Sequence, residues 1–334
     1  MQPTISICIP NYNGASFIHD TISSIYTQNS LPDVEILIHD DASTDNSVEL
    51  LHTSYPEISL LKSDSNVGFC ISCNRLAAAA RGEYILLLNN DATLMPDALS
   101  TLLSAARAGN SAIYSLPQYD METGALLEKG FQLDLFMNPI MKQDASLPSA
   151  MLGGSLVFLK KSLWEELGGF PAYFGSMAED MLLCCKARLA GHELCCVDKS
   201  GYLHWVGRTF AGGKVKNNSL YFSPIRRRLS ERNKTYVMLI CHPLPILILL
   251  LPLHLLLLLV EGCIMALIKK NFRLLSDIYL NVYKSIFENR SVLMRDRKTI
   301  QGKRVISTSM FFKPFSPLPH KLGLLLKYGI PKNL

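Results

Sequence analysis

Apolar residues come in short runs over the first hundred positions, and helical spacings separate the runs. The runs at 5–9, 34–38, 58–61 and 84–88 each predict a strand that is apolar on both faces. Between them, Ile18, Ile22 and Ile25 fall at helical spacing. Ser43 or Thr44 can cap a helix carrying Val48, Leu50 and Leu51, and residues 70–81 predict an Ala-rich helix stopped by Gly82. Pro96 suits the first turn of the next helix. Strands without a polar face that alternate with helices imply a mostly parallel sheet covered on both sides, an α/β fold. Residues 110–150 are less regular. Beyond them a strand is predicted at 155–159, helices at 162–167 and 179–189, the second stopped by Gly191, and a strand at 194–197.

From 237 to 260 the chain runs 24 residues without a charge, long enough to span a bilayer. The run contains His242, Pro243, Pro245, Pro252 and His254. Arg226, Arg227, Arg228, Arg232 and Lys234 precede it, and Lys269, Lys270 and Arg273 follow. A single span should carry its Lys/Arg excess on one side, and this run does not. A monotopic or re-entrant helical hairpin bending near Pro252, with both ends in the cytoplasm, is therefore expected ahead of a single span. The expected organisation is a catalytic domain over 1–235, a hydrophobic membrane-associating segment over 236–268 and a basic amphipathic tail over 269–334.

Charge sharpens this division. Residues 1–268 hold 19 Lys/Arg against 25 Asp/Glu, and residues 269–334 hold 14 against 3, within a chain of 334 residues and net charge +5. A basic tail beside a Leu-rich run favours anionic membrane lipid over nucleic acid as partner. A hydrophobic fraction of 49% excludes wholesale disorder. The nine cysteines include the adjacent pairs Cys184–Cys185 and Cys195–Cys196, which seldom bridge, and Met1 leads straight into a strand-like run. Reduced thiols and a cytoplasmic catalytic part are expected. Cys70 and Cys73 lack a second pair at zinc spacing, so packed thiols are expected there.

In open parallel sheets ligands bind beyond the carboxyl ends of the strands. Asn11, Tyr12 and Asn13 follow the first strand, Asp40 and Asp41 the second, Asn66 and Gly68 the third, and Asn89, Asn90 and Asp91 the fourth. Each alone is an ordinary turn former; four successive strand ends describe one site. Neither G-x-G-x-x-G nor G-x-x-x-x-G-K-[ST] occurs, so a dinucleotide-binding dehydrogenase and a P-loop NTPase are poorly supported. The site offers carboxylates instead. These repel a diphosphate unless a divalent cation lies between, and Mg²⁺ takes one or two carboxylates plus phosphate oxygens. Asp91 at a strand end therefore suggests a metal-bridged nucleotide diphosphate.

The segments ISICIPNYNG (5–14), DDASTDNS (40–47), NVGF (66–69) and LLLNNDATLMPDAL (86–99) resemble the inverting family 2 glycosyltransferases of GT-A fold, in their bacterial rhamnosyltransferase-like subgroup. The resemblance continues through residues 151–170, 178–198, 204–210 and 231–233, covering roughly the first 235 residues in the family's order. It implies a nucleotide-sugar donor, an Mg²⁺ or Mn²⁺ cofactor and a lipid-linked glycan acceptor at the cytoplasmic face of the cell membrane. Pro10, Asn11 and Tyr12 would line the nucleotide pocket, Asp40 would hydrogen-bond the base with Asp41 beside it, and Asn66 and Gly68 would shape the donor loop. Asp91 would be the surviving acid of a metal-binding D-x-D that here reads Asn89-Asn90-Asp91. Asp180, beside Glu179, would be the catalytic base; capping the helix it starts is the bland role open to it, and both can hold.

His204 resembles a position near the diphosphate and could ligate the metal or be structural. Arg208, Arg232 and Asn233 would contact phosphate or an anionic carrier, Trp205 would stack on sugar or pack, and Gly153 and Gly154 would admit a close backbone approach. A nucleotidyltransferase would need a phosphate-gripping loop that residues 10–20 lack. The runner-up is a binding scaffold without catalysis, against which Asp91 and Asp180 argue.

Overall fold

The protein is described by a computed structural model covering residues 2–109, 112–207, 212–216 and 219–329. The chain divides into two compact units. The first comprises residues 1–131, 141–187 and 192–205, and the second comprises 132–140, 188–191 and 206–334.

A seven-stranded mixed sheet forms the first unit. Its strands are β1 (Ile5–Asn11), β2 (Val34–Asp40), β3 (Ser59–Lys62), β4 (Tyr84–Leu88), β6 (Ala112–Ser115), β11 (Leu156–Lys160) and β12 (Glu193–Cys196), in the order β12-β6-β11-β4-β1-β2-β3. All neighbours are parallel except β11, which runs antiparallel to β4 and β6. A second sheet pairs β5 (Ala92–Leu94) with β13 (Tyr202–His204), and continues through β7 (Gln118–Asp120) to β8 (Leu126–Glu128). The flanking helices are α1 (Ile18–Tyr26), α2 (Ser47–Ser54), α3 (Phe69–Ala79), α4 (Ala98–Ala108), α5 (Lys161–Leu167) and α6 (Glu179–Leu189). Ile18, Ile22 and Ile25 of α1 share one core with Ile5, Ile7, Ile9, Leu86 and Phe158 from the strands. β1 and β4 are buried on both faces, which explains their apolar runs, whereas β3 at the sheet edge is only partly covered.

Three local differences from the sequence pattern have simple causes. β1 outruns the apolar stretch 5–9 and passes through Pro10, because pairing with β4 ends at Cys8 while pairing with β2 runs on to Asn11. A proline costs no ladder bond on a side where pairing has ended. α2 starts at Ser47 because Asp45 accepts its N–H at 3.1 Å. Pro96 precedes α4 by two residues rather than sitting in its first turn.

The second unit contains a small sheet of β9 (Phe131–Asp134), β10 (Pro139–Met141) and β16 (Phe315–Ser316), and a hairpin of β14 (Gly212–Lys216) and β15 (Ser219–Phe222). Its helices are α7 (Pro224–Cys241), α8 (Leu244–Ile268), a π-helical segment Leu275–Leu280, α9 (Asn281–Glu288), α10 (Arg290–Gly302), α11 (Thr308–Phe312) and α12 (His320–Tyr328). The expected domain end at residue 235 falls inside α7, whose charged first half gives no apolar signal of a helix.

The expected bend at Pro252 is absent: α8 is one helix with Pro252 inside it. The chain reverses at His242–Pro243, where the proline forces His242 out of helical geometry, to ψ 135°. α7 and α8 are then antiparallel, for Thr235 meets His254 at 2.8 Å and Arg227 pairs with Glu261. Glu231 is 1% exposed, so its charge needs partners. It has Lys321 at 2.9 Å, with Arg227 and Lys234 each at 3.2 Å. Burial alone would raise the Glu231 carboxyl, yet these cations hold it well below the usual carboxylate range.

The other side of α8 is bare: Leu244, Ile248, Leu249, Leu253, Leu256 and Leu257 are exposed. Among the described residues α8 is the one helix long and apolar enough to cross a membrane. No cysteine is disulfide-bonded, and Cys263 on α8 alone is exposed.

Candidate active site

Strand order places β1 between β4 and β2, so the chain winds away in both directions from the β4–β1 edge. Such a switch point leaves a crevice beyond the strand ends. Two asparagines bridge it, Asn90 Nδ2 donating to Asn11 Oδ1 at 2.8 Å. Asn11 Nδ2 in turn donates to Asp40 Oδ1 at 2.9 Å and Ser47 Oγ at 3.1 Å. Gly14 is packed so closely that a Cβ there would overlap Asn11 Oδ1 and Asn90 Nδ2. Gly14→Ala is therefore expected to break the bridge and destabilise the fold by about 1–3 kcal/mol, the usual cost of leaving buried polar groups unmade, as read by denaturant unfolding.

Asp40 and Asp41 are both buried. Asp40 accepts from Ser43 Oγ at 2.6 Å and Ser43 N at 3.0 Å, besides Asn11. Asp41 accepts the backbone N–H groups of Val67 at 2.7 Å and Gly68 at 2.8 Å, fixing the 66–68 loop against β2. Gly68 has φ +90°, a conformation that favours glycine. Asp41 thus braces the loop of Asn66 and Gly68, and Asp40 ties the turn at Ser43 to Asn11. Asn66 and Tyr12 are exposed at the loop surfaces, and Pro10 is buried in β1.

On the other side of β4 the backbone of β11 brings in a second group. Asn89 N–H donates to Ser155 O at 3.0 Å, so Gly153 and Gly154 lie beside the 89–91 turn. Gly154 N–H donates to Asp180 Oδ2 at 2.9 Å, and Asp180 Oδ1 accepts the N–H of Met181 at 2.7 Å. A Cβ on Gly154 would press within 3.1 Å of the Asp180 side chain, so glycine admits that carboxylate. Asp180 is half-buried in the first turn of α6; its neighbour Glu179 is buried there, near enough to help raise the Cys73 thiol, whose shift comes chiefly from burial.

The 89–91 turn also holds β13. Trp205 N–H donates to Asp91 O at 3.2 Å, and His204 Nε2 lies 3.1 Å from Asp91 Oδ1. Asp91 Oδ1 is nevertheless buried without a hydrogen-bond partner, so the two atoms meet without hydrogen-bond geometry. Trp205 packs its ring 6.2 Å from that of Phe17. Of the remaining expected residues, Arg232 stands on α7 in the second unit, donating to Asn233 Oδ1 at 2.8 Å, and Arg208 lies outside the described residues.

Residues 6–167 match the model of glycosyl transferase family 2. The match takes in just under half of the chain and marks this part as similar to the family 2 glycosyltransferases. The Escherichia coli chondroitin synthase is 30% identical over 173 residues, 50% of this chain and 24% of that protein. The Bacillus subtilis (strain 168) putative teichuronic acid biosynthesis glycosyltransferase TuaG is 26% identical over 166 residues, 48% of this chain and 63% of the relative. The chain thus spans less than two thirds of the curated relatives' length. The mannosyltransferase PcManGT from Pyrobaculum calidifontis, solved with GDP-Man and Mn²⁺, shares the fold at a TM-score of 0.50, with 16% identity over 94% of this chain and 86% of that one.

The donor set at Asp91 fits a divalent cation. His204 Nε2 and Asp91 Oδ1 lie 3.1 Å apart, with Asn89 Nδ2 3.4 Å from the same imidazole nitrogen. Ligands about 2.1 Å from an octahedral ion stand about 3 Å from one another. Among the described residues no group of three or more His, Cys, Asp or Glu gathers around one point. Such an ion would therefore take its remaining ligands from phosphate oxygens and water.

Glu128 was missed by sequence reasoning, since it sits in the irregular stretch and belongs to no motif. It is 2% exposed, 3.3 Å from where a Cβ on Gly153 would stand, and it accepts the Gly130 N–H. Burial and the nearby Asp180 charge push its carboxyl up to about 7, against the pull of the Gly130 N–H and Lys142. A raised folded pKa means the native state holds its proton more tightly than the unfolded chain. This stabilisation is complete below about 4.5 and is lost as pH rises through about 7. Glu128→Gln should remove a loss of roughly 3 kcal/mol between pH 4.5 and 8, seen as a flatter profile of unfolding free energy against pH.

Proposed function

We propose that the protein is an inverting glycosyltransferase that moves a hexose or deoxyhexose from a nucleotide-diphosphate donor to a lipid-linked or polysaccharide acceptor in cell-surface glycan synthesis. One observation carries this reading. Gly154, next to the strand end that bears Asp91, holds Asp180, so a group suited to the diphosphate and a proton acceptor stand at one sheet edge.

Asp91 and His204 would hold a Mg²⁺ or Mn²⁺ ion, whose chemistry would be to neutralise charge on the leaving diphosphate. The braced loops at 11–14, 41–47 and 66–68 bind and orient the nucleotide. Inversion is a single displacement, in which the acceptor hydroxyl attacks the anomeric carbon as the diphosphate departs. Asp180 takes the proton of that hydroxyl, and the Gly154 N–H fixes the carboxylate against drift during the attack. The bare face of α8 and the basic tail support attachment to a membrane, and nine free thiols fit its cytoplasmic face.

A screen of nucleotide sugars for Mn²⁺-dependent binding and slow donor hydrolysis tests the reading. dTDP-rhamnose heads the panel because the resemblance runs to rhamnosyltransferase-like enzymes. Donor binding without hydrolysis or transfer would favour a scaffold, and no binding by any donor would refute the enzyme.

A further inference from the structure

The second unit contains a cavity of about 500 Å³, walled by Leu244 and Pro245 at the start of α8 and by Met294, Arg297, Lys298 and Arg304 from α10 and the turn after it. Its volume lies in the range of about 300–1,000 Å³ typical of small-molecule sites, more than a lone phosphate needs. Three cationic side chains line this space and no carboxylate does.

The guanidinium groups are held from behind. Arg297 Nη1 donates to the carbonyls of Leu239 at 2.6 Å and His242 at 2.8 Å. Arg304 donates to Ile306 O at 2.7 Å and Thr308 Oγ1 at 2.9 Å. A guanidinium carries five N–H donors, so each retains donors beyond these bonds. The positive end of the α8 dipole lies at the same wall. Leu244 is at once cavity wall and the first residue of the bare stripe that continues through Ile248 and Leu249. An open, mostly apolar depression bordered by fixed cations and running onto an exposed apolar stripe suits an amphiphile with an anionic head.

We propose that this cavity binds the phosphate headgroup of an anionic membrane phospholipid, whose acyl chains run along Leu244, Ile248 and Leu249. The inference rests on the membrane attachment proposed above, and it turns a general attraction for anionic surfaces into one defined site.

The test is co-sedimentation of the full chain with phosphatidylcholine vesicles containing or lacking phosphatidylglycerol. Lys298 is exposed, so Lys298→Glu should fold normally, as a thermal melt would verify. Reversing its charge is expected to weaken binding to the phosphatidylglycerol vesicles roughly thirtyfold. Lys284→Glu, an equal charge change at an exposed residue of α9 outside the cavity, should weaken it far less. Equal losses in the two variants, or no loss in Lys298→Glu, would overturn the site. Competition by inorganic phosphate beyond that of chloride at equal ionic strength is expected of a site that grips the headgroup phosphate, and its absence would overturn the site. A wild-type chain that sediments with neither vesicle would refute membrane attachment and the site together, whereas equal binding to both vesicles, or binding unaffected by Lys298→Glu, would refute the site alone.

Discussion

Asp180→Asn is expected to lower sugar transfer about a thousandfold while donor affinity stays near that of the wild type. The amide oxygen of asparagine can still accept the Gly154 N–H that Asp180 Oδ2 accepts at 2.9 Å, so the side chain keeps its place. What it loses is the capacity to take a proton from the acceptor hydroxyl. Turnover measured beside donor titration separates the two effects. If the variant transfers sugar at the wild-type rate, the base lies elsewhere. A fall in donor affinity as large as the fall in turnover would mean that Asp180 shapes the pocket rather than the chemistry.

Asp91→Ala should weaken metal-dependent donor binding at least about tenfold and transfer by about a hundredfold or more, because the charge on the departing diphosphate loses its anchored counter-ion. Asp91 is buried 3.1 Å from His204 Nε2, so a melting curve of the variant is read beside its donor binding. Binding lost while the melting temperature is kept distinguishes a ligand from a structural carboxylate. Donor titrations with Mn²⁺ and with a chelator read the outcome directly. Equal metal dependence in variant and wild type would remove Asp91 from the bridging role.

Much of the first unit was legible because its long strands are buried on both faces. The apolar runs around Ile7, Leu37 and Leu86 could hardly be anything else, and strand ends are where an open sheet binds ligands. The strands of three or four residues between Ala112 and Met141 were not legible, since so short a segment shows no periodicity. Glu128 was hidden with them. Its importance comes from burial against Gly153, which depends on two distant segments meeting. The turn before α8 was misplaced because the run from 237 to 260 has three prolines, and composition does not say which one breaks a helix. The structure decides for Pro243, since His242 leaves helical geometry there while the residues around Pro252 do not. A count of uncharged residues had joined the buried end of α7 to the bare face of α8.

Cys263 makes α8 its own reporter. It is the one exposed thiol among nine, so an environment-sensitive maleimide dye should attach to native protein at a single position on the Leu-rich helix. A blue-shifted emission on adding vesicles would mark passage of that face from water into hydrocarbon, with no engineered label and no change to the catalytic unit.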